Sequence, residues 1–341
     1  MTLAAVKSDV SASIIGDRPF VAADIGGTHA RLGLMVANKG GNGFEVRAYQ
    51  TYKCAQWPSL LAILNEFIGG EARVSVSHCV LAIAGVQMEG RVVNENLPWP
   101  VSTHEIRQSL GLQDIAVVND FFALATAVRS IGDEVTSTLT QARLSTLAGP
   151  RLVVGPGTGL GAAVLVPHAP RPIVMSTEAG QVGLAPRTAT EREVVALLSR
   201  GDRHVSTESI LSGPGLYTLY RSLATLHGVT PRHVRPNQIT DAARSGDDPL
   251  ASEAVQTFCA WLGSYVGDLT MAFNAGGGVY LAGGVLAHLG DLLPQSAFVE
   301  RFLDKGSLRA FLEKVPVHLI EHGRLGVIGA ADWYFDRGDM T

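Results

Sequence analysis

Residues 152–166 read LVVGPGTGLGAAVLV, so that two apolar runs flank a glycine-rich turn. Apolar runs joined by a short glycine turn predict a β-hairpin. The chain repeats the pattern earlier, where residues 20–24 run into Gly26-Gly27-Thr28 and residues 30–36 continue as a β-rich segment. Glycine permits a positive φ and a close approach of backbone to ligand, and successive turn amides can bind anionic oxygens. Two such hairpins suggest a nucleotide contacted from two sides.

Two other interpretations of the glycine segment stay open at this point. A glycine-rich turn is often only a turn. A dinucleotide fingerprint is also conceivable, because Glu178 follows Gly157 by about twenty residues, the usual spacing of its acid. That fingerprint opens a helix, whereas the apolar run 162–166 is followed at once by Pro167. The glycine spacing also differs, so we favour the hairpin.

Composition narrows the class of protein. A chain of 341 residues suggests two domains, and 46% hydrophobic with 17% charged residues indicates a globular chain. The net charge of −4 gives no electrostatic footprint for nucleic acid or an anionic membrane. Cys54, Cys79 and Cys259 form neither a metal motif nor a disulfide framework, which suits a reducing cytoplasm. Residues 1–17 resemble a loose leader without a signal peptide, and glycines interrupt the uncharged stretch 269–290, so we expect no membrane span.

Strand and helix patterns alternate in both halves of the chain. Both halves begin with a glycine hairpin and continue with alternating β and α segments, which indicates a weak internal duplication. The predicted strands are 20–24, 30–37, 44–51, 76–84, 115–118, the hairpin 152–166, and 279–282; the predicted helices run from Pro58 to Gly69-Gly70, from Ser102, over 121–129, 188–199, 215–226 and 255–273, and from about Val285.

Three polar positions are candidates for chemistry. Asp24 closes the first strand before the glycine turn, where a carboxylate can hold Mg²⁺ through water, although a turn role is equally open. Asn119-Asp120 follows a buried strand and precedes a helix. That position suits an N-cap, and it also suits a carboxylate that accepts a hydroxyl proton in phosphoryl transfer. Glu178 and Glu208 alone are as easily solvated surface residues.

Five motifs together resemble bacterial glucokinases of the hexokinase–actin superfamily. They occur in the family's order between about Phe20 and Ala331, and the ordered set is far more specific than any one of them. The motifs are DIGGTHARL (24–32), similar to the first phosphate motif; VNDF (118–121), similar to the sugar and catalytic segment; GPGTGLG (155–161), similar to the second phosphate motif; HVSTESILSGPGL (204–216), similar to a signature of this family; and LAGGV (281–285), similar to the adenosine motif.

The resemblance implies an ATP-dependent kinase for the 6-hydroxyl of glucose, with Asp120 as catalytic base. It implies two actin-like (ribonuclease H-like) α/β domains flanking a deep cleft, one of residues 1–130 plus 323–341 and one of 131–322. The implied sugar ligands are Asn96, Asn119, Asp120, Glu178, Gln181 and Glu208; the implied ATP contacts are Asp24, Gly26, Gly27, Thr28, Gly155, Gly157, Thr158, Gly159, Gly283 and Gly284, with Asp24 also serving Mg²⁺. A cytoplasmic protein is expected, and a homodimer is open.

Two positions depart from the family pattern. The family usually has His where Gln181 stands and Asn where His29 stands. Glutamine can still donate and accept hydrogen bonds, so we expect altered or broader hexose recognition. A titratable ring at position 29 is expected to affect nucleotide binding or its pH dependence. These departures leave one alternative open, a sugar-binding sensor of the same fold with weak or no kinase activity. An actin-like structural ATPase is a third option, which the sugar segment and the Glu208 signature disfavour.

Overall fold

The chain forms two compact units in a computed structural model. Unit 1 comprises Met1–Arg129 and Gly323–Thr341, and unit 2 comprises Ser130–His322. No helix in the part of the chain that the structure describes is long and apolar enough to cross a bilayer. The described residues are 19–38, 43–72, 75–88, 91–93, 97–131, 136–142, 145–169, 171–320 and 322–337.

Groups of strands and groups of helices follow one another along the described chain. The strands are β1 (Phe20–Ile25), β2 (His29–Ala37), β3 (Phe44–Lys53), β4 (His78–Ile83), β5 (Val86–Met88), β6 (Arg91–Val93), β7 (Val101–Ser102), β8 (Asp114–Val118), β9 (Thr136–Thr138), β10 (Arg151–Pro156), β11 (Leu160–Val166), β12 (Ile173–Thr177), β13 (Val279–Leu281) and β14 (Val317–Ile320). The α-helices are α1 (Leu60–Glu66), α2 (Thr103–Ser109), α3 (Asp120–Ala127), α4 (Ala189–Leu198), α5 (Gly213–His227), α6 (Pro236–Ser245), α7 (Pro249–Ala272), α8 (Gly284–Leu289), α9 (Phe298–Leu303), α10 (Arg309–Leu312) and α11 (His322–Arg337).

The two main sheets share one topology. The sheet of unit 1 has the order β3-β2-β1-β4-β8, and that of unit 2 has the order β12-β11-β10-β13-β14-β9. In each, the first three strands form an antiparallel meander. The central strand, β1 or β10, then pairs in parallel with β4 or β13, which in turn pairs in parallel with β8 or β14. The predicted duplication is therefore confirmed as a repeated strand order, and both glycine hairpins lie at the centre of a sheet.

The predicted helix at Pro58 begins and ends elsewhere. The hydroxyl of Ser59 accepts the amide N–H of Ala62 at 3.1 Å, so Ser59 is the N-cap and α1 starts one residue later. The end predicted at Gly69-Gly70 is also wrong, because the chain continues through a π-helical segment, Phe67–Ala72. The spacing of Thr188 and Glu191 predicts a capping box, which is confirmed in full. The same spacing of Ser102 and Glu105 predicts another, of which the structure has the bond from the Glu105 amide to the Ser102 hydroxyl. The sequence patterns do not predict β5–β7, β9, β12, β14, α6, α9 or α10.

Helices contribute buried side chains to the hydrophobic cores of both units. In unit 2, α7 buries Phe258, Trp261 and Leu262 almost completely, and the indole N–H of Trp261 donates to the carbonyl of Ala185 at 3.1 Å. Burying side chains of this size contributes about 1.5–3 kcal/mol each. In unit 1, α11 supplies buried side chains that pack on the sheet with Phe20; they are Val327, Ala330, Ala331 and Tyr334.

Glycine at position 329 allows α11 to pack on α3. A Cβ at this position would overlap the carbonyl of Ala123 and meet the amide nitrogen of Ala127 at 3.1 Å. An added methyl group would have to displace this backbone. At an exposed helix position, by contrast, replacing glycine by alanine normally stabilises the protein. Close packing of the two helices therefore depends on Gly329.

We expect Gly329→Ala to lower the free energy of unfolding by about 1–3 kcal/mol, the usual cost of overpacking. The measurement is urea unfolding followed by circular dichroism. The control is Gly69→Ala, where the added Cβ meets nothing within 4 Å, and it should leave stability unchanged or slightly higher. Equal stability of the two variants would contradict the packing role.

Candidate functional site

The turn between β1 and β2 is held by hydrogen bonds to its own backbone and to Cys54. The amide of Gly26 donates to the carbonyl of His29 at 3.0 Å. The amide of Cys54 donates to the carbonyl of Thr28 at 2.9 Å, and its thiol donates to the carbonyl of Gly26 at 3.3 Å. The Gly26 amide is therefore engaged within the turn, and Gly27 and Thr28 lie at its tip. Gly26 is not in the left-handed φ region, so it does not use the positive φ that glycine permits.

Asp24 is a buried carboxylate paired with an arginine on the neighbouring strand. It is 3% exposed, and its Oδ2 accepts from Nη1 of Arg31, its register partner, at 3.1 Å. Burial raises the pKa of Asp24 to about 6, and the nearby guanidinium offsets only part of that rise. A Cβ on Gly326 would lie 2.8 Å from the Cγ of Asp24. The missing side chain of Gly326 thus makes room for the carboxylate beneath α11.

His29 stands at the end of the same turn. Its pKa is lowered by partial burial and by the positive charges of Arg31 and Lys53. A lowered pKa favours the neutral imidazole at neutral pH. The turn therefore carries a polar but uncharged ring at the position where the sequence departs from the family pattern.

Asn119 and Asp120 join β8 to α3. The Asn119 Oδ1 accepts the amide N–H of Phe122 at 3.0 Å, so the interpretation of Asn119 as an N-cap is confirmed. The Asp120 Oδ1 accepts the amide N–H of Phe121, also at 3.0 Å. Because β1, β4 and β8 are parallel, the carboxyl ends of β1 and β8 lie at the same edge of the sheet, where ligands bind in open α/β sheets.

The turn between β10 and β11 packs closely on two other segments of unit 2. Within the turn, the amide of Gly157 donates to the carbonyl of Gly159 at 2.7 Å. The amide of Gly213, at the start of α5, donates to the carbonyl of Gly157 at 2.8 Å. Gly283 has a φ of +119°, and a Cβ there would overlap the carbonyl of Pro156. Of these glycines only Gly283 occupies the left-handed region, so positive φ is not what Gly157 and Gly159 provide in the turn.

Glu208 connects this turn to Gln181. Its Oε2 accepts the amide N–H of Leu160 at 2.7 Å, and its Oε1 accepts from Nε2 of Gln181 at 3.0 Å. Glu208 itself lies in a single turn of 3-10 helix, Thr207–Ser209. The structure therefore brings two predicted sugar ligands, Gln181 and Glu208, into direct contact.

Backbone pairing between two segments places Gln181 beside Glu208. The amide of Thr207 donates to the carbonyl of Val182 at 2.8 Å, and the amide of Leu184 donates to that of Val205 at 2.9 Å. Glu178 precedes Gln181 and leads into the 3-10 turn Ala179–Gln181, with its side chain exposed.

The surroundings of the other predicted positions bear less directly on ligand binding. Gly155 pairs with Gly161 inside the hairpin, and Thr158 lies exposed in its turn. Gly284 begins α8, where an added Cβ would meet nothing within 4 Å. Asn96 lies outside the described residues.

Two residues of unit 2 were missed from the sequence. A Cβ on Gly180 would overlap the carbonyl of Leu160. The hydroxyl of Tyr265 is buried and finds no hydrogen-bond partner among the described residues. Its pKa is raised mainly by burial and to a smaller extent by the negative charge of Glu208. The position of Gly180, two residues after Glu178, was a weak signal that it lies near the site. The helical periodicity of 255–273 predicted Tyr265 only as a core residue.

The chain is similar to known proteins over most of its length. A sequence model of the family "Glucokinase" matches residues 21–336. A "Glucokinase-like protein" of Xylella fastidiosa (strain 9a5c) is 47% identical over 93% of this chain and 95% of its own length. A "Glucokinase" of Saccharophagus degradans is 38% identical over 92% of this chain and 98% of its own. The crystal structure of a glucokinase from an Antarctic psychrotroph is 34% identical, with a TM-score of 0.79, over 93% of this chain and 99% of that one.

The fold and these matches define a sugar kinase of the actin-like ATPase superfamily, built from two α/β units. Within that class, the chain belongs to the glucokinase family.

Burial of Asp24 predicts a pH dependence of stability. The folded-state pKa of about 6 lies above the ordinary aspartate pKa of 3.8, so the folded protein retains this proton after the unfolded chain has lost it. The contribution is fully present below about pH 4 and is lost as the pH rises to about 6, by up to about 3 kcal/mol.

Urea unfolding between pH 4 and 7.5 should therefore reveal a difference between wild type and Asp24→Asn. Wild type should lose stability relative to the variant across that window, because the amide does not titrate. Parallel stability profiles for the two proteins would show that the carboxyl group has an ordinary pKa.

Proposed function

We propose that this protein is a glucokinase that transfers the γ-phosphoryl group of ATP to the 6-hydroxyl of glucose. The family membership supports the reaction. The single observation that carries the assignment of the sugar-binding residues is the carboxylate of Glu208, held at both oxygens by Leu160 and Gln181. A sugar ring offers several hydroxyls, and fixed carboxylate and amide groups are suited to bind them.

We assign the catalytic base to Asp120. The sugar oxygen forms a bond to the γ-phosphorus, the bond from that phosphorus to the β,γ-bridging oxygen breaks, and the hydroxyl proton passes to the Asp120 carboxylate. The transition state of phosphoryl transfer is loose, so the base chiefly orients the hydroxyl and takes its proton late. Support comes from its position at the carboxyl end of β8, with Oδ1 fixed by the amide of Phe121.

Other residues are assigned to binding by their motifs. Glucose hydroxyls are bound by Asn119, whose cap uses only the side-chain oxygen and leaves the NH₂ group as a donor, and by Glu178, Gln181 and Glu208, with Asn96 proposed from the sequence alone. ATP is bound by Gly27 and Thr28 with Gly26 and Asp24, by the hairpin Gly155, Gly157, Thr158 and Gly159, and by Gly283 and Gly284.

Asp24 is the residue that fits magnesium. Its buried carboxylate lies near the end of β1, just before the turn whose amides are assigned to phosphate. In kinases, Mg²⁺ is held by one or two carboxylates together with phosphates and water. When bound, Mg²⁺ neutralises charge on the phosphates.

The first experiment is a coupled assay for glucose 6-phosphate with ATP, followed by a panel of hexoses. Turnover of glucose supports the kinase, whereas glucose binding without turnover supports the sugar sensor. We further propose that units 1 and 2 are the two domains of the enzyme. A homodimer and a cytoplasmic location stay predictions.

Asp120→Ala should reduce kcat by at least about a hundredfold, the lower range for loss of a general base. The N-cap of α3 belongs to Asn119, so the fold should remain intact. Asp120→Asn is the matched control: it keeps an acceptor for the Phe121 amide but cannot take a proton, and it should be as inactive as the alanine variant. Substantial kcat in Asp120→Asn would remove the base assignment.

Gln181→His should tighten glucose binding, because imidazole is the group found here in the family. The expected decrease in the KM for glucose is about two- to tenfold, equivalent to one net hydrogen bond of about 0.5–1.5 kcal/mol. The KM for ATP should stay unchanged. Gln181→Glu is the matched control, since it replaces the donor to Glu208 by a like charge and should raise the KM for glucose. A shift in ATP affinity alone would separate position 181 from the sugar.

A further inference from the structure

The side chain missing at position 159 would collide with a carboxylate. A Cβ on Gly159 would lie 2.6 Å from Oε2 of Glu208 and 3.3 Å from its Cδ. Gly159 does not have a left-handed φ, so its backbone conformation is open to other residues. The carboxylate of Glu208 is therefore the group that a side chain at position 159 would displace.

The next residue in the turn fixes the same carboxylate oxygen. The amide of Leu160 donates to Oε2 of Glu208 at 2.7 Å, which is short, as expected for a bond to a charged acceptor. The second oxygen accepts from Gln181 at 3.0 Å. An ionised carboxylate has about four acceptor positions, so these two bonds orient Glu208 and leave acceptor positions for ligand hydroxyls.

The other glycine at the ends of this turn has different surroundings. A Cβ on Gly157 would meet only the carbonyl of Gly159, at 4.0 Å. Its amide is used inside the turn and its carbonyl accepts from Gly213. Gly157 and Gly159 thus differ in their relation to Glu208, although both belong to the same glycine motif.

We propose that Gly159 and the backbone amide of Leu160 are positioning residues for the sugar, acting through Glu208. This inference rests on the proposed function, in which Glu208 binds a sugar hydroxyl. The turn assigned to the phosphates of ATP then also sets the affinity for glucose. Any coupling that the shared turn produces between an ATP analogue and glucose is reciprocal, so each ligand would change the affinity of the other by the same factor.

The test compares Gly159→Ala with Gly157→Ala in steady-state kinetics. Gly159→Ala displaces the carboxylate from the Leu160 amide, so the KM for glucose should rise about tenfold while the KM for ATP changes less than about twofold, because the amide nitrogens of the turn remain. Gly157→Ala should affect the KM for ATP more than that for glucose. A Gly159→Ala variant with a raised KM for ATP and an unchanged KM for glucose would overturn the inference.

The same glycine substitution in a Glu208→Asp variant distinguishes a clash with the Glu208 carboxylate from general damage to the turn. Glu208→Asp shortens the side chain by one methylene, so an added methyl at position 159 has room. Gly159→Ala introduced into Glu208→Asp should leave the KM for glucose at the value of Glu208→Asp alone. An equal tenfold rise in both backgrounds would show that the methyl group acts elsewhere.

Amide exchange tests the contact even when the glycine variants fail to fold. Measured by NMR, the Leu160 amide hydrogen should exchange slowly with solvent in wild type. In Glu208→Ala it should exchange at least about tenfold faster. The amide of Ala162, which lies in the hairpin opposite Val154, is the control and should be unchanged. Equal protection of Leu160 in both proteins overturns the inference. Failure of wild type to bind glucose in calorimetry contradicts the proposed function instead.

Discussion

The site in unit 2 depends on polypeptide backbone packed so closely that side chains are excluded. Gly283 lies against the carbonyl of Pro156, and Gly180 lies against that of Leu160, each with no room for a Cβ. These contacts fix both ends of the β10–β11 turn. Protein interiors are close-packed and deform little, so a methyl group at either glycine would move the turn and with it the groups that it holds.

The repeated topology assigns different chemistry to equivalent positions. In unit 1 the residues one step before the end of the hairpin strands are Asp24 and Arg31, a buried ion pair. In unit 2 the equivalent register pair is Gly155 and Gly161. A buried ion pair is costly to desolvate, and the raised pKa of Asp24 reflects that cost. The hairpin of unit 1 thus carries a pair of charged side chains at this position, whereas the hairpin of unit 2 has two glycines there, which leave room for other backbone.

Local sequence patterns were sufficient for much of the fold. The hairpins, the caps at Ser102 and Thr188, and the long helix α7 follow from spacing within a few residues, and the structure contains all of them. The short strands β12 and β14 were missed because four or five residues carry too little periodicity. The helix start at Ser59 was missed because proline at position 58 gave a competing signal.

The candidate site was less accessible from sequence. The motifs named Glu208 and Gln181, but their mutual hydrogen bond joins residues 27 positions apart, and no local pattern encodes it. The bond from Leu160 to Glu208 spans 48 positions. The sequence offered positive φ or close approach to a ligand as uses of the turn glycines, but it could not predict the contact at Gly159, because that contact comes from a side chain distant in the sequence.

The discontinuity of unit 1 bears on how the chain folds during synthesis. The strands β1–β4 and β8 are made first, yet α11, whose Val327 and Tyr334 complete their core, is made only after the whole of unit 2. Unit 2 is contiguous and can complete its core on the ribosome. One apolar face of the earlier-made sheet stays uncovered until α11 has been made, so unit 1 is the part of the nascent chain that exposes apolar surface longer.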